Sequence, residues 1–160
     1  MIQAITETGF TFYIQTEDNR INKNVASTQI RHLIKFTNDL SKVVKYAYAS
    51  SETIKDRYTE IVMTYNTSPN IYEGKTKLLP AGYWKYEVYE VSWIGTVTVS
   101  AGNAPQTENS TLSPPADHKG VVQGLVTKGK MYVAEKDGTE QVQYTQRQVD
   151  GRTNYIYYGQ

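Results

Sequence analysis

The chain has no cysteine among its 160 residues. A disulfide framework, a thiolate metal centre and a cysteine nucleophile are therefore excluded, and stability must come from packing and backbone pairing. Histidine, the usual proton-transfer group near neutral pH, occurs only at His32 and His118. An excess of one charge is missing too, since 17 Lys and Arg stand against 16 Asp and Glu, a formal net charge of +1. With no long run of either sign there is no electrostatic footprint for DNA or RNA, and nucleic acid is not an expected partner. No apolar run approaches the ~18 residues of a spanning helix, and no basic segment followed by an apolar stretch opens the chain. A membrane is not an expected partner either; the reading is of a soluble protein made in the cytoplasm without secretion.

Catalytic motifs are absent as well. There is no Gly-x-x-x-x-Gly-Lys-Ser loop to cradle phosphate and no Gly-x-Ser-x-Gly elbow. His32 falls on the apolar face of a predicted strand, where a satisfied core or interface histidine is expected. His118 follows Asp117 in Pro115-Ala116-Asp117-His118-Lys119, and one Asp-His pair falls short of a metal-ligand set. Glu87 and Glu90 point to opposite faces of their strand, which argues against a two-carboxylate glycosidase centre built from them. The expectation is a protein that is not an enzyme and holds neither metal nor cofactor.

What remains is strand. The segment Leu79-Pro80-Ala81-Gly82 forms a corner, with Pro fixing one backbone angle and Gly supplying a permissive one. Beyond it Trp84, Tyr86 and Val88 alternate with Lys85 and Glu87, the period-two pattern of a half-buried strand. This turn, aromatic and alternating strand resembles the start of the sixth strand of an immunoglobulin-like sandwich. Further strands are predicted over residues 10–15, 30–37 with Phe36 on the apolar face, 42–49 returning as a hairpin, 57–66, 74–79 and 83–91. Residues 93–100 continue the last of these or begin another, and one or two strands span 121–134 around Gly124 and Gly129. Residues 50–56 read as a polar loop with a single helical turn. Asp137-Gly138 signals a hairpin before a strand over 139–146, and Asp150-Gly151 repeats the signal before Tyr155-Ile156-Tyr157-Tyr158. No segment of ten or more residues has helical periodicity.

The predicted fold is an all-β, immunoglobulin-like antiparallel β-sandwich with an extended N-terminal arm, a long loop and a C-terminal tail. Residues 1–28 are an arm or edge strand, 29–134 the sandwich core with a long loop at 101–119, and 135–160 a C-terminal hairpin or tail. Phe36, Gly82, Trp84, Tyr86 and Val88 define the fold. A loop of this length and its Pro, Gly and Ser content reads as exposed, mobile or held by a partner. Tyrosine outnumbers phenylalanine 14 to 3, and its apolar ring with a wet hydroxyl suits half-exposed strands and interfaces alike. Tyr83 and Tyr89, on the outward face of their strand beside Lys85 and Glu87, form a candidate sugar-stacking platform. The alternative is a plain sheet surface or subunit contact.

Three stretches carry a closer likeness: Lys35-Phe36-Thr37-Asn38-Asp39-Leu40, Asp56-Arg57-Tyr58-Thr59-Glu60, and Leu79 to Glu90. In this order, with a closing strand similar to residues 124–131, they resemble small immunoglobulin-like virion structural proteins of tailed bacteriophages of the marine and Bacteroidetes-infecting type. The resemblance covers about residues 30–134. It implies a non-enzymatic structural module made in the host cytoplasm and built into the virion in several copies, at the head-to-tail neck or on the capsid surface. Expected partners are further copies and neighbouring neck, portal or capsid proteins. Trp84 stands in the place of the corner tyrosine, so the corner hydrogen bond is not assumed. Phe10, Phe12, Tyr155, Ile156, Tyr157 and Tyr158, with the loop 101–119, are the expected assembly contacts. A carbohydrate-binding or host-adhesion module of the tail is the alternative.

Overall fold

A computed structural model describes residues 1–112 and 118–137. It is an all-β sandwich of two sheets built from nine strands: β1 (Ile2–Ile5), β2 (Phe10–Ile14), β3 (Ile30–Asn38), β4 (Val44–Tyr48), β5 (Ser51–Ile54), β6 (Thr59–Tyr65), β7 (Lys75–Thr76), β8 (Gly82–Ser92) and β9 (Val121–Ala134). Three single turns of 3-10 helix are the only helical elements among the described residues. The larger sheet runs β1-β9-β8-β3-β4, and the smaller runs β2-β6-β5 with β7 added along β6. The body is antiparallel, but β1 joins β9 and β7 joins β6 in parallel.

The alternation along β8 is what seats the larger sheet. Trp84 and Val88 are fully buried on its inner face, and Phe36, Ile34, Met131 and Val133 of the flanking strands lie beside them. The smaller sheet closes this core with Phe12, Ile14, Ile61 and Met63. Tyr86 packs at its margin, where its hydroxyl would lie only 2.6 Å from a Cβ at Gly129. That contact explains a glycine in the middle of β9. At the start of β8, Gly82 adopts φ +120°, a left-handed-side conformation that glycine takes without strain. The Trp84 indole N–H then donates to the Pro80 carbonyl at 3.0 Å, so the corner does have its own hydrogen bond, from an indole instead of a tyrosine hydroxyl.

Several expectations change here. Of the two readings of the N-terminal residues, arm or edge strand, β1 and β2 take the second, one at the edge of each sheet, and Phe12 is only 3% exposed. Phe12 is thus a core residue and not an assembly contact, because β2 pairs with β6 and turns its ring inward; Phe10 is half-buried, stacked on Phe12 and edge-on to Phe36. Residues 51–54 are strand, not loop. Their polar composition hides an edge strand whose inward Glu52 reaches His32 of the opposite sheet, Oε1 to Nδ1 at 2.6 Å. Residues 93–100 form no strand. The tail beyond 137, with Tyr155, Ile156, Tyr157 and Tyr158, lies outside the described residues.

The long loop is the largest correction. Its described part turns back over the outer face of the larger sheet, where Leu33, Tyr48, Val91, Trp93 and Ala104 form a second buried cluster. The Tyr48 hydroxyl donates to the Pro105 carbonyl at 2.7 Å, and Gln106 donates to the Tyr72 hydroxyl at 2.9 Å. The physical reason lies in β3, β4 and β8, which carry apolar groups on both faces over half their length. A sheet with two apolar faces needs cover on both.

Truncating Phe12 to Ala is expected to cost about 3–5 kcal/mol of stability, the usual price of emptying a buried aromatic site. Thr11→Ala, on the exposed face of the same strand, is expected to stay within ~0.5 kcal/mol. Urea unfolding of both variants checks this; equal, small losses would mean that β2 is not part of the core.

Candidate functional site on the outer sheet face

The register of the larger sheet sets the outer face out in rungs. Tyr83 of β8 lies opposite Tyr132 of β9, Lys85 lies between Lys130 and Thr37, and Glu87 lies between Lys128 and Lys35. The next rung places Tyr89 beside Leu33, which in turn faces Tyr48. The described part of the folded-back loop covers the Leu33 end, and no described segment covers the Tyr83 end. In the open half a groove of about 620 Å³ is lined by Thr37, Lys85, Tyr86, Glu87, Lys128, Gly129 and Lys130.

At the boundary between the two halves sits a charged hinge point. Lys35 Nζ meets Glu108 Oε1 at 2.5 Å and Glu87 Oε2 at 3.5 Å, while the Tyr46 hydroxyl donates to Glu108 Oε2 at 2.6 Å. Burial by itself would raise the Glu108 pKa, but hydrogen bonds from Lys35 and Tyr46 outweigh it and hold the carboxyl below its ordinary value. The same hydrogen bond to Glu108 raises Lys35, against the opposing effect of burial. Tyr46 is pushed up to about 12, first by burial and then by its bond to the carboxylate. Burial likewise raises Tyr89.

Other buried ionisable groups also tie segments to the sandwich. Glu90, 1% exposed, accepts the backbone N–H groups of Ile21 and Asn22, both at 2.8 Å, and so fastens the loop after β2. His32 and Glu52, described above, link the two sheets. His32 is therefore the satisfied core histidine expected of it. His118 lies in a turn and is exposed. Among the described residues no three His, Asp or Glu side chains come together as a potential metal cage.

The fold-defining residues Phe36, Gly82, Trp84, Tyr86 and Val88 all meet in or beside β8. Of the two platform tyrosines, Tyr83 is 57% exposed. Tyr89 is not its companion: it is half-buried against the second cluster, because the loop covers that rung. The companion is Tyr132, whose ring centroid lies 5.0 Å from that of Tyr83 at an interplanar angle of 54°. Sequence reasoning passed over Tyr132, Lys128 and Lys130, although their alternation in β9 is the signal that places them on one face. It also missed Glu108 and the tie that Glu90 makes, since their partners are far away in the chain. No family model, curated protein or solved structure matches this chain.

The lowered Glu108 carboxyl contributes stability that is present above its ordinary range and lost as pH falls through the folded-state value. The raised Tyr46 hydroxyl contributes stability that is present below about 10 and lost as pH rises toward about 12. Glu108→Gln is expected to flatten the acid limb of the stability curve, and Tyr46→Phe the alkaline limb; unfolding measured across pH checks both. Glu90→Gln is expected to cost roughly 2 kcal/mol, the scale of a charge-assisted hydrogen bond lost in the interior. Hydrogen exchange at Ile21 and Asn22 should quicken in that variant.

Proposed function

We propose that this chain is a non-enzymatic structural protein of a tailed-bacteriophage virion. In this reading several copies sit at the neck between head and tail or on the capsid surface, and the protein acts by binding further copies and neighbouring neck, portal or capsid proteins. The observation that carries the reading is at one end of the sandwich. Leu40, at the tip of the β3–β4 hairpin, is 91% exposed, and with Tyr83 it borders a hollow of about 320 Å³ lined by residues 38–40 and 81–83. Leaving a leucine in water forgoes about 1.5–3 kcal/mol of burial. A neighbour seated on this end would recover it. The hairpin and the β8 corner are also two of the three stretches that resemble phage virion proteins, and they adjoin through the pairing of Asn38 with Trp84.

A second reading, a carbohydrate-binding or host-adhesion module, is favoured by the paired rings of Tyr83 and Tyr132 on an open sheet face.

The assembly reading is tested by mass photometry of the purified full chain, whose monomer is 18.2 kDa. A multiple of that mass is expected, falling to monomer in Leu40→Asp with an unchanged circular dichroism spectrum. A monomeric wild-type protein, or an oligomer indifferent to Leu40→Asp, counts against assembly through this end.

A further inference from the structure

We infer that the open half of the outer sheet face binds an acidic polysaccharide carrying uronate-type carboxylates. The inference rests on the carbohydrate-binding reading and narrows it to a ligand class. Its first support is a cost within the fold. Lys85 and Lys130 are direct cross-strand partners, and like charges in that position destabilise a sheet. Lys128 stands two residues from Lys130 on the same strand. Among the described residues Lys85 has Asp39 at 3.5 Å and Lys128 stands opposite Glu87, while Lys130 has only Lys85 across from it. Lys128 and Lys130 are exposed and have no ion-pair partner among those residues. An anion lying between the strands turns this repulsion into attraction.

The second support is what surrounds the lysines. On one side is the Tyr83–Tyr132 pair, apolar faces against which the C–H face of a sugar ring can stack. On the other is Glu87, which shares the groove with Thr37. A carboxylate here accepts hydrogen bonds from sugar hydroxyls. Aromatic, cationic and hydrogen-bonding rungs follow one another along β8 and β9, two residues or ~6.8 Å apart. A uronate unit offers the matching set: an apolar ring face, a carboxylate and hydroxyls. A purely anionic peptide leaves the tyrosines unused, and a neutral glycan leaves the lysines unrelieved.

Isothermal titration of the full chain with alginate oligosaccharides provides the test, with dextran, poly-glutamate and oligothymidylate as comparison ligands. Binding to alginate is expected, weakening with added salt. In the double variant Lys128→Glu/Lys130→Glu and separately in Tyr132→Ala it should fall by about tenfold or more, a loss of ~1.4 kcal/mol or more. Tyr13→Ala, on the exposed face of the smaller sheet, should bind as the wild type does, and the circular dichroism of every variant should be unchanged. Equal affinity for poly-glutamate or oligothymidylate would overturn the inference, since charge alone would then explain binding. So would affinity unchanged by the variants. Dextran bound as tightly as alginate would sink the acidic-ligand inference while leaving the carbohydrate reading standing; no binding to either glycan would remove both.

Discussion

Burial of both faces of β8 is the constraint on which the rest of the molecule depends. The inner face carries Trp84 and Val88, which no longer touch water once the smaller sheet closes over them. The outer face carries Tyr89 and Val91, which the folded-back loop covers. A strand in this position must have both neighbours in the sheet, and β8 has β3 along one edge and β9 along the other over nearly its whole length. The corner before it is correspondingly fixed. Trp84 anchors itself by its indole N–H to Pro80 and so sets where the strand begins. Because side chains alternate strictly, that starting point also decides which tyrosines face the core and which face outward.

Burying charge is costly unless the charge is compensated, and here the compensation follows one pattern. Each deeply placed acidic group reaches a segment remote in sequence. Glu90 takes two backbone amides of the loop after β2, Glu52 takes His32 across the sheets, and Glu108 takes Lys35 and Tyr46 beneath the long loop. Hydrophobic burial is non-directional, so it can hold loops near the sandwich but does not choose their position. These hydrogen bonds choose it. They turn two irregular segments, which composition alone would leave free, into layers of defined placement.

Much of this was legible in the chain. The alternation of Trp84, Tyr86 and Val88 announced a central strand, and the same parity correctly put His32 and Phe36 inward. Strand content and the absence of long helices among the described residues followed from period and turn residues. What the sequence hid was of two kinds. Edge strands such as β1 and β5 need only one ladder, so their residues are not forced into a strong apolar pattern, and Ser51-Glu52-Thr53-Ile54 reads as a loop until His32 is seen beside it. The fate of the long loop was hidden by distance, since its Pro and Gly content describes how it bends but not that Leu33, Tyr48 and Val91 await it. The same limit applies to the outer face. Tyr83 could be placed there from its own strand, but its ring partner Tyr132 is 49 positions later and is set by the β8–β9 register.

That register also explains why the outer face is divided as it is. From Leu33 to Val91 the rungs are mostly apolar, Arg31 beside Val91 excepted, and the chain supplies their cover. From Glu87 to Tyr83 they carry lysines and half-exposed rings, and no described segment lies over them. A bulge between Val88 and Tyr89, where Val126 is the extra residue in β9, falls at the boundary. Bulges increase local twist and bend the strand that carries them. The described part of the loop packs on the covered half. The Lys35–Glu108 pair lies at that boundary. The open half is left with like charges directly opposed across two strands, an arrangement that a sheet serving only as scaffold gains nothing by keeping.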